Sequence, residues 1–335
     1  KGTFAMDKLE VPGYMRAIAE NGQISAGDVA KLRGRIYPDG VVSGAEADNL
    51  FWLNDACAKA CPEWNALLIE ALTDFYVNQR RPHGYIDEDG ADEIAHRVLK
   101  DGRINSANEL ELLVSIVDKA TSVPEKLVLF VIGEVRVSVL EGEGPVRHGR
   151  KLEPGVIAEA EIDLLRRLIY GTGSDGNIKI TRLEAELLFD LNDAVVTAEN
   201  HAGWAELFVN AIANYVMAAE LWAPRPREEV VRHEAWLEQR DGALGFMRKL
   251  AESGVQGALA ALKQDADTDA AMRRAAREQA IAEAEELTEE EAQWLSERIG
   301  RDGAIDDTER AILERLRARA DDLHPAIREL IEKAA

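Results

Sequence analysis

The sequence predicts an all-α protein of tandem, duplicated helical bundles, in the order A–B–A′–B′, with a helical insertion in the second copy. Three observations predict it: a long internal repeat, a helix-capping motif that recurs along the chain, and apolar residues at steps of three and four behind each cap.

The repeat is the strongest of these. Residues 36–56 read IYPDGVVSGAEADNLFWLNDA, and residues 169–194 read IYGTGSDGNIKITRLEAELLFDLNDA. Each tract runs from Ile-Tyr through Asp-Gly into a stretch ending Leu-Asn-Asp-Ala. Each is followed by a tryptophan that opens a second apolar run, WNALLIEALTDFYV from Trp64 and WAELFVNAIANYVM from Trp204. A second unit follows each copy, DGRINSANELELLVSIV from Asp101 and DGAIDDTERAILERL from Asp302. Pro124 and Pro325 hold matching places before the last expected helix of each half. The expected domains are residues 6–145 for the first bundle, 155–222 plus 287–335 for the second, and 225–286 for the insertion. Pro224 and Pro226 mark the insertion's start, and its last part, 267–286, is Ala-rich and charged.

The capping motifs justify the central helices. Ser43…Glu46, Ser106…Glu109, Thr181…Glu184 and Asp306…Glu309 place an oxygen-bearing residue three before a glutamate. The cap oxygen accepts from the N–H three residues on, and the glutamate accepts from the cap's own N–H. Behind the caps, Leu50, Leu53 and Cys57, then Leu112, Leu113 and Ile116, then Leu187, Leu188 and Leu191 share helical faces. The tract Leu127–Leu140 is valine-rich, as a strand would be, but its place in the repeat predicts a helix.

Composition bounds the function. The formal net charge is -22, with 62 acidic against 40 basic residues. That charge argues against nucleic acid and anionic membrane as main partners, because both need a cationic face. Cys57 and Cys61 have no second ligand pair, so neither a zinc site nor a disulfide framework is expected. No apolar run reaches the roughly 20 residues of a membrane span. Lys1–Ala5, ahead of Met6, are set aside as an added remnant, and no signal peptide is expected. A cytoplasmic protein is the expectation.

Candidate chemistry is sparse. An EF-hand loop built on Gly40 places Asp39 and Glu46 at positions five and twelve, but Arg35 and Tyr37 fall where carboxylates are needed. Around Gly176 the glutamate falls outside position twelve. The Asp-Gly turns therefore read first as corners leading into capped helices, and second as a divalent-cation site using Asp39, Glu46, Asp175 and Glu184. Asn54-Asp55 and Asn192-Asp193 read as helix ends, solvated or bonded to the next turn, or else as a polar site made twice. The acidic group Asp87, Glu88, Asp89, Asp92 and Glu93 complements a helix start. The tryptophans read as core. The histidines form no metal motif, and no nucleophile has a catalytic setting, so no catalytic residue and no cofactor is expected.

The motif of helix, Asp-Gly-x-Ile/Val, then a capped helix with an early Glu looks like the tellurite-resistance TerB-like family. It is carried by Asp39-Gly40 with Glu46, Asp101-Gly102-Arg103-Ile104 with Glu109, Asp175-Gly176-Asn177-Ile178 with Glu184, and Asp302-Gly303-Ala304-Ile305 with Glu309. The resemblance implies a small acidic helical bundle with a stress-linked, metal-associated scaffold role rather than catalysis. The expected function is a non-enzymatic acidic scaffold or regulatory protein that binds a protein partner, with divalent-cation binding as the alternative.

Overall fold

The computed structural model describes residues 10–36, 41–98, 104, 106–142, 144–145, 153–171, 180–217, 231, 289–301, 303–319 and 325–334. The fold is all-α, and the chain divides into two compact units, Lys1–Pro154 and Gly155–Ala335. Asp39, Asp101, Asp175 and Asp302 lie outside the described residues, as does the expected insertion 225–286 apart from Val231.

In the first unit the helices are α1 (Gly13–Glu20), α2 (Ala26–Ile36), α3 (Gly44–Ala56), α4 (Pro62–Thr73), α5 (Glu88–Val98), α6 (Ala107–Lys119) and α7 (Glu125–Glu141). A π-helical turn, Asp74–Gln79, continues α4. The strands β1 (Gln23–Ile24) and β2 (Lys59–Ala60) pair in parallel, Gln23 with Lys59 and Ile24 with Ala60. The second unit has α8 (Glu159–Gly171), α9 (Arg182–Val195), α10 (Gly203–Met217), α11 (Glu289–Arg298), α12 (Asp307–Arg319) and α13 (Pro325–Ala334). The valine-rich tract is helical, inside α7, and buries Leu127, Val131, Val135 and Val139.

These helices are short, and isolated helices of such length are marginal in water. Two things hold them. The first is packing: α4 lies on α6 and α10 on α12, while α2 meets α4 and α8 meets α10. Trp64, Leu67 and Leu72 fill the first core. In the second, Phe189 meets the rings of Phe208 at 5.1 Å and Trp294 at 5.5 Å, and Tyr215 meets Trp294 at 4.8 Å. Edge-on aromatic pairs of this kind add about 0.5–1.5 kcal/mol each beyond burial.

The second is capping, since the first backbone N–H groups of any helix lack a partner within it. Ser43 Oγ accepts from Glu46 N at 3.2 Å, and Glu46 accepts from Ser43 N at 2.8 Å. Ser106 and Glu109 repeat the exchange at 3.2 and 3.0 Å, and Thr181 and Glu184 at 3.2 and 2.9 Å. Asp306 and Glu309 do so at 2.8 and 3.0 Å.

Bonds between elements also recur in the two units. Ile24 and Ile157 carbonyls accept from the N–H groups of Cys61 and His201, at 3.0 and 2.9 Å. The guanidinium of Arg97 in α5 pairs with Asp48 in α3 at 2.7 Å. That of Arg298 in α11 pairs with Glu186 in α9 at 3.4 Å. The N–H just ahead of each of the two tract caps takes an amide oxygen from the opposite helix. Val42 uses Gln79 at 2.7 Å, and Ile180 uses Asn214 at 3.3 Å.

Ser43→Ala and Thr181→Ala are each expected to lower unfolding free energy by about 1 kcal/mol, and Ser43→Gly by only a few tenths. Urea unfolding followed by circular dichroism measures this. Alanine variants as stable as the parent would mean that the caps carry no stability.

Candidate functional site

In the second unit, the end of α9, the turn into α10 and the start of α12 converge on a pocket of about 420 Å³. Its lining includes Asn192, Asn200, His201, Trp204, Asp306 and Thr308. The turn is tied down from both sides. Asn200 Oδ1 accepts from Ile157 N at 2.9 Å, and its Nδ2 donates to the Val195 carbonyl at 2.7 Å. Gly203 N then donates to His201 Nδ1 at 3.2 Å, which starts α10.

The floor of the pocket is Asn192, 1% exposed in the last turn of α9. Trp204 Nε1 donates to Asn192 Oδ1 at 3.2 Å, and Asn192 Nδ2 donates to Asp306 Oδ2 at 3.0 Å. An indole only donates and a carboxylate only accepts, so these partners fix which way the amide faces. Thr308 Oγ sits 3.2 Å from Asn192 Oδ1 and closer still to Asp306 Oδ1. Its single proton goes to the carboxylate, the nearer and charged acceptor. One side chain thus joins α9, α10 and the cap of α12.

Glu309 lies beneath this network, 3% exposed. It accepts from Gly300 N and Asp306 N, both at 3.0 Å. Burial pushes its carboxyl above the ordinary range. The two backbone bonds oppose the shift, while the Asp306 and Asp193 carboxylates add to it.

The first unit holds the matching pair without the same surroundings. Trp64 Nε1 donates to Asn54 Oδ1 at 3.2 Å, and Asn54 is half-buried. The residue after that tryptophan is Asn65, and the residue two past the α6 cap is Asn108. Asn108 Nδ2 donates to Asn65 Oδ1 at 2.7 Å. The same two places in the second unit are Ala205 and Thr308, both of which line the pocket.

Other polar groups in the first unit form a closed network. Tyr76, 1% exposed, accepts from Arg97 at 3.1 Å, and burial pushes its phenol up to about 12. Arg80 grips Glu93 through both nitrogens at 2.7 Å and stacks over Phe75 and Tyr76 at 4.7 and 4.8 Å. Burial works to raise the Glu93 carboxyl, but the bond and charge of Arg80, with Arg97, hold it below the ordinary range. Of the acidic group at the start of α5, Asp87 accepts from Gly90 N at 2.8 Å, and Glu88 and Asp92 hold Lys126 at 2.5 and 2.6 Å.

The candidate metal ligands are not brought together among the described residues. Glu46 and Glu184 each hold the cap N–H of their own helix. Asp39 and Asp175 lie outside the described residues. No group of three or more His, Cys, Asp or Glu among the described residues has a metal-holding arrangement. Among the same residues, no helix is long and apolar enough to cross a membrane. The asparagine-aspartate pairs do sit in last helical turns; each asparagine accepts from an indole, and Asp55 and Asp193 are exposed. An asparagine ten residues before Trp64 and twelve before Trp204 was the available signal for that bond. His201 and Thr308 carry no sequence signal of their own. Comparison with protein-family models, curated proteins and solved structures found no match to this chain.

Asn192→Leu is expected to destabilise by about 3 kcal/mol or more, because it strands the Trp204 N–H and an Asp306 lone pair in a buried setting. Asn54→Leu strands one donor, the Trp64 N–H, and should cost less, about 1–2 kcal/mol. Equal losses in denaturant unfolding would contradict the unequal number of stranded groups. Glu309 gives a pH test. Its folded pKa is raised, so its stabilising contribution is complete below the ordinary 4.5 and is lost as pH rises through the raised value. The stability difference between the parent and Glu309→Gln should therefore move against the parent as pH climbs out of that window. A difference that stays flat would rule out the shift.

Proposed function

We propose that this protein is a non-catalytic, acidic helical scaffold that binds a basic segment of a protein partner, with the stress-linked role that the TerB-like resemblance implies. The observation that carries the reading is a contrast in how carboxylates are used. Glu46, Glu109, Glu184 and Glu309 are committed to helix caps, and Glu93 and Glu186 to internal arginines. The chain still holds a net charge of -22. The surplus is a surface field that attracts cations and steers basic partners, and it repels nucleic acid.

The cation alternative draws on the same charge but needs ligands to converge. Glu46 and Glu184 are held at their caps, so that reading depends on Asp39 and Asp175.

Calorimetry separates the two. A short Lys/Arg-rich peptide is expected to bind, more weakly as salt rises, whereas an acidic peptide of the same length and duplex DNA are not. Micromolar heats with calcium, magnesium or zinc ions that vanish in Asp39→Ala or Asp175→Ala would replace the scaffold reading by the cation one. A basic peptide that gives no heat at low salt would end it.

A further inference from the structure

We propose that the pocket between the α9–α10 turn and the start of α12 receives the cationic head of a lysine or arginine side chain. This rests on the reading of the protein as a receptor for a basic segment, and it names where one residue of that segment seats. Among the described residues the lining contains Asp306 and Asp307 and no lysine or arginine. A pocket of about 420 Å³ is within the range that takes an amino-acid-sized guest.

The spare bonding capacity selects the guest's chemistry. Asp306 Oδ1 already accepts from Thr308 and from Glu309 N, but Oδ2 accepts only from Asn192. A carboxylate oxygen takes two donors, so Oδ2 has a place left. Thr308 Oγ gives its proton to Asp306 and keeps its lone pairs. The Trp204 N–H is spent on Asn192. Against one ring N–H on His201, whose Nδ1 accepts from Gly203 N, the pocket offers the spare acceptors of Asp306, Asp307 and Thr308, which suits a group that only donates, as ammonium and guanidinium do. An anion is the wrong guest. The positive end of α12 is already met by the Asp306 carboxylate, and Asp193 and Asp306 together make the potential there negative enough to help raise Glu309. At the rim Asp307, its side chain 98% exposed, pairs with Arg310 at 2.8 Å. Exposed pairs of this kind are worth about 0–1 kcal/mol, so an incoming cation exchanges with it at little loss.

The first unit indicates how the pocket stays open. There, Asn65 and Asn108 bond across the matching place at 2.7 Å. Ala205 is too short to reach Thr308 in that way, and the space between them is the pocket. The pocket thus coincides with a local difference from the first unit, and placing asparagines at both positions should close it.

The test uses the full chain and calorimetry with blocked single residues, N-acetyl-arginine methylamide and N-acetyl-lysine methylamide, with N-acetyl-glutamate methylamide as the opposite charge. Both cations are expected to bind and the glutamate is not. Asp306→Asn removes the charge but retains a good cap residue, and it should weaken the cations about tenfold or more. Ala205→Asn combined with Thr308→Asn should weaken them by a similar factor while Asp306 stays in place. Circular dichroism melting identifies any variant that fails to fold, and the two variants perturb different groups, so either one suffices. Cation binding that is absent from the parent, or unchanged in a folded variant of either kind, overturns the assignment. A Lys/Arg-rich peptide that binds parent and variants equally overturns the pocket but leaves the scaffold reading standing. Blocked cations that bind the pocket while the peptide does not bind anywhere leave the pocket and remove the scaffold.

Discussion

A helix begins with backbone N–H groups that nothing inside it can satisfy, and this chain, cut into many short helices, meets that problem again and again. Its solution is a carboxylate aimed backward at the cap. Glu46, Glu109, Glu184 and Glu309 all do this, and each fixes the angle at which the chain enters its helix. The angle decides which residues face inward. Leu50 and Leu53 behind the first cap, and Leu188 and Leu191 behind the third, are fully buried as a consequence. Capping and packing are therefore one constraint seen at two scales.

The caps also differ in setting. Glu46 caps near the surface, but Glu309 does so in the interior, and its cap residue is an aspartate already engaged by Asn192 and Thr308. Charge is concentrated there because the start of α12 serves two purposes, ending a turn and walling a pocket. A buried carboxyl costs free energy unless it is bonded, and the two N–H groups on Glu309 offset part of that cost.

Much of the fold was legible from local chemistry. The all-α class followed from the caps and the three-and-four spacing, and the helical state of the tract now in α7 followed from its position rather than its valines. Features that depend on contacts across the fold were not legible. Strands β1 and β2 are a two-residue backbone contact with no pattern of their own. The asparagine in Leu-Asn-Asp-Ala was visible as a polar residue after an apolar run, but its indole partner depends on how α4 and α10 fold back. The pocket lies where Ala205 and Thr308 stand in place of two asparagines, which looks trivial until the Asn65–Asn108 bond is seen. The aspartates of the Asp-Gly corners, prominent in the sequence, fall outside the described residues.

The wide turn at Asp74–Gln79 has a consequence for sequence length. A π-helical turn holds one residue more than an α-helical path over the same rise. Here it brings Tyr76 to Arg97 and lets Gln79 reach both Asp74 and the Val42 N–H. In the second unit Asn214, on a regular helix, reaches the corresponding N–H directly. Deleting a single residue from the wide turn would leave a regular α-helical turn of nearly the same rise and would shift Tyr76 and Gln79 around the helix axis. The tyrosine and the glutamine would then leave their partners together. Length polymorphism is thus disfavoured at this point of the chain, even though a shorter, more regular helix is what unaided backbone bonding would choose.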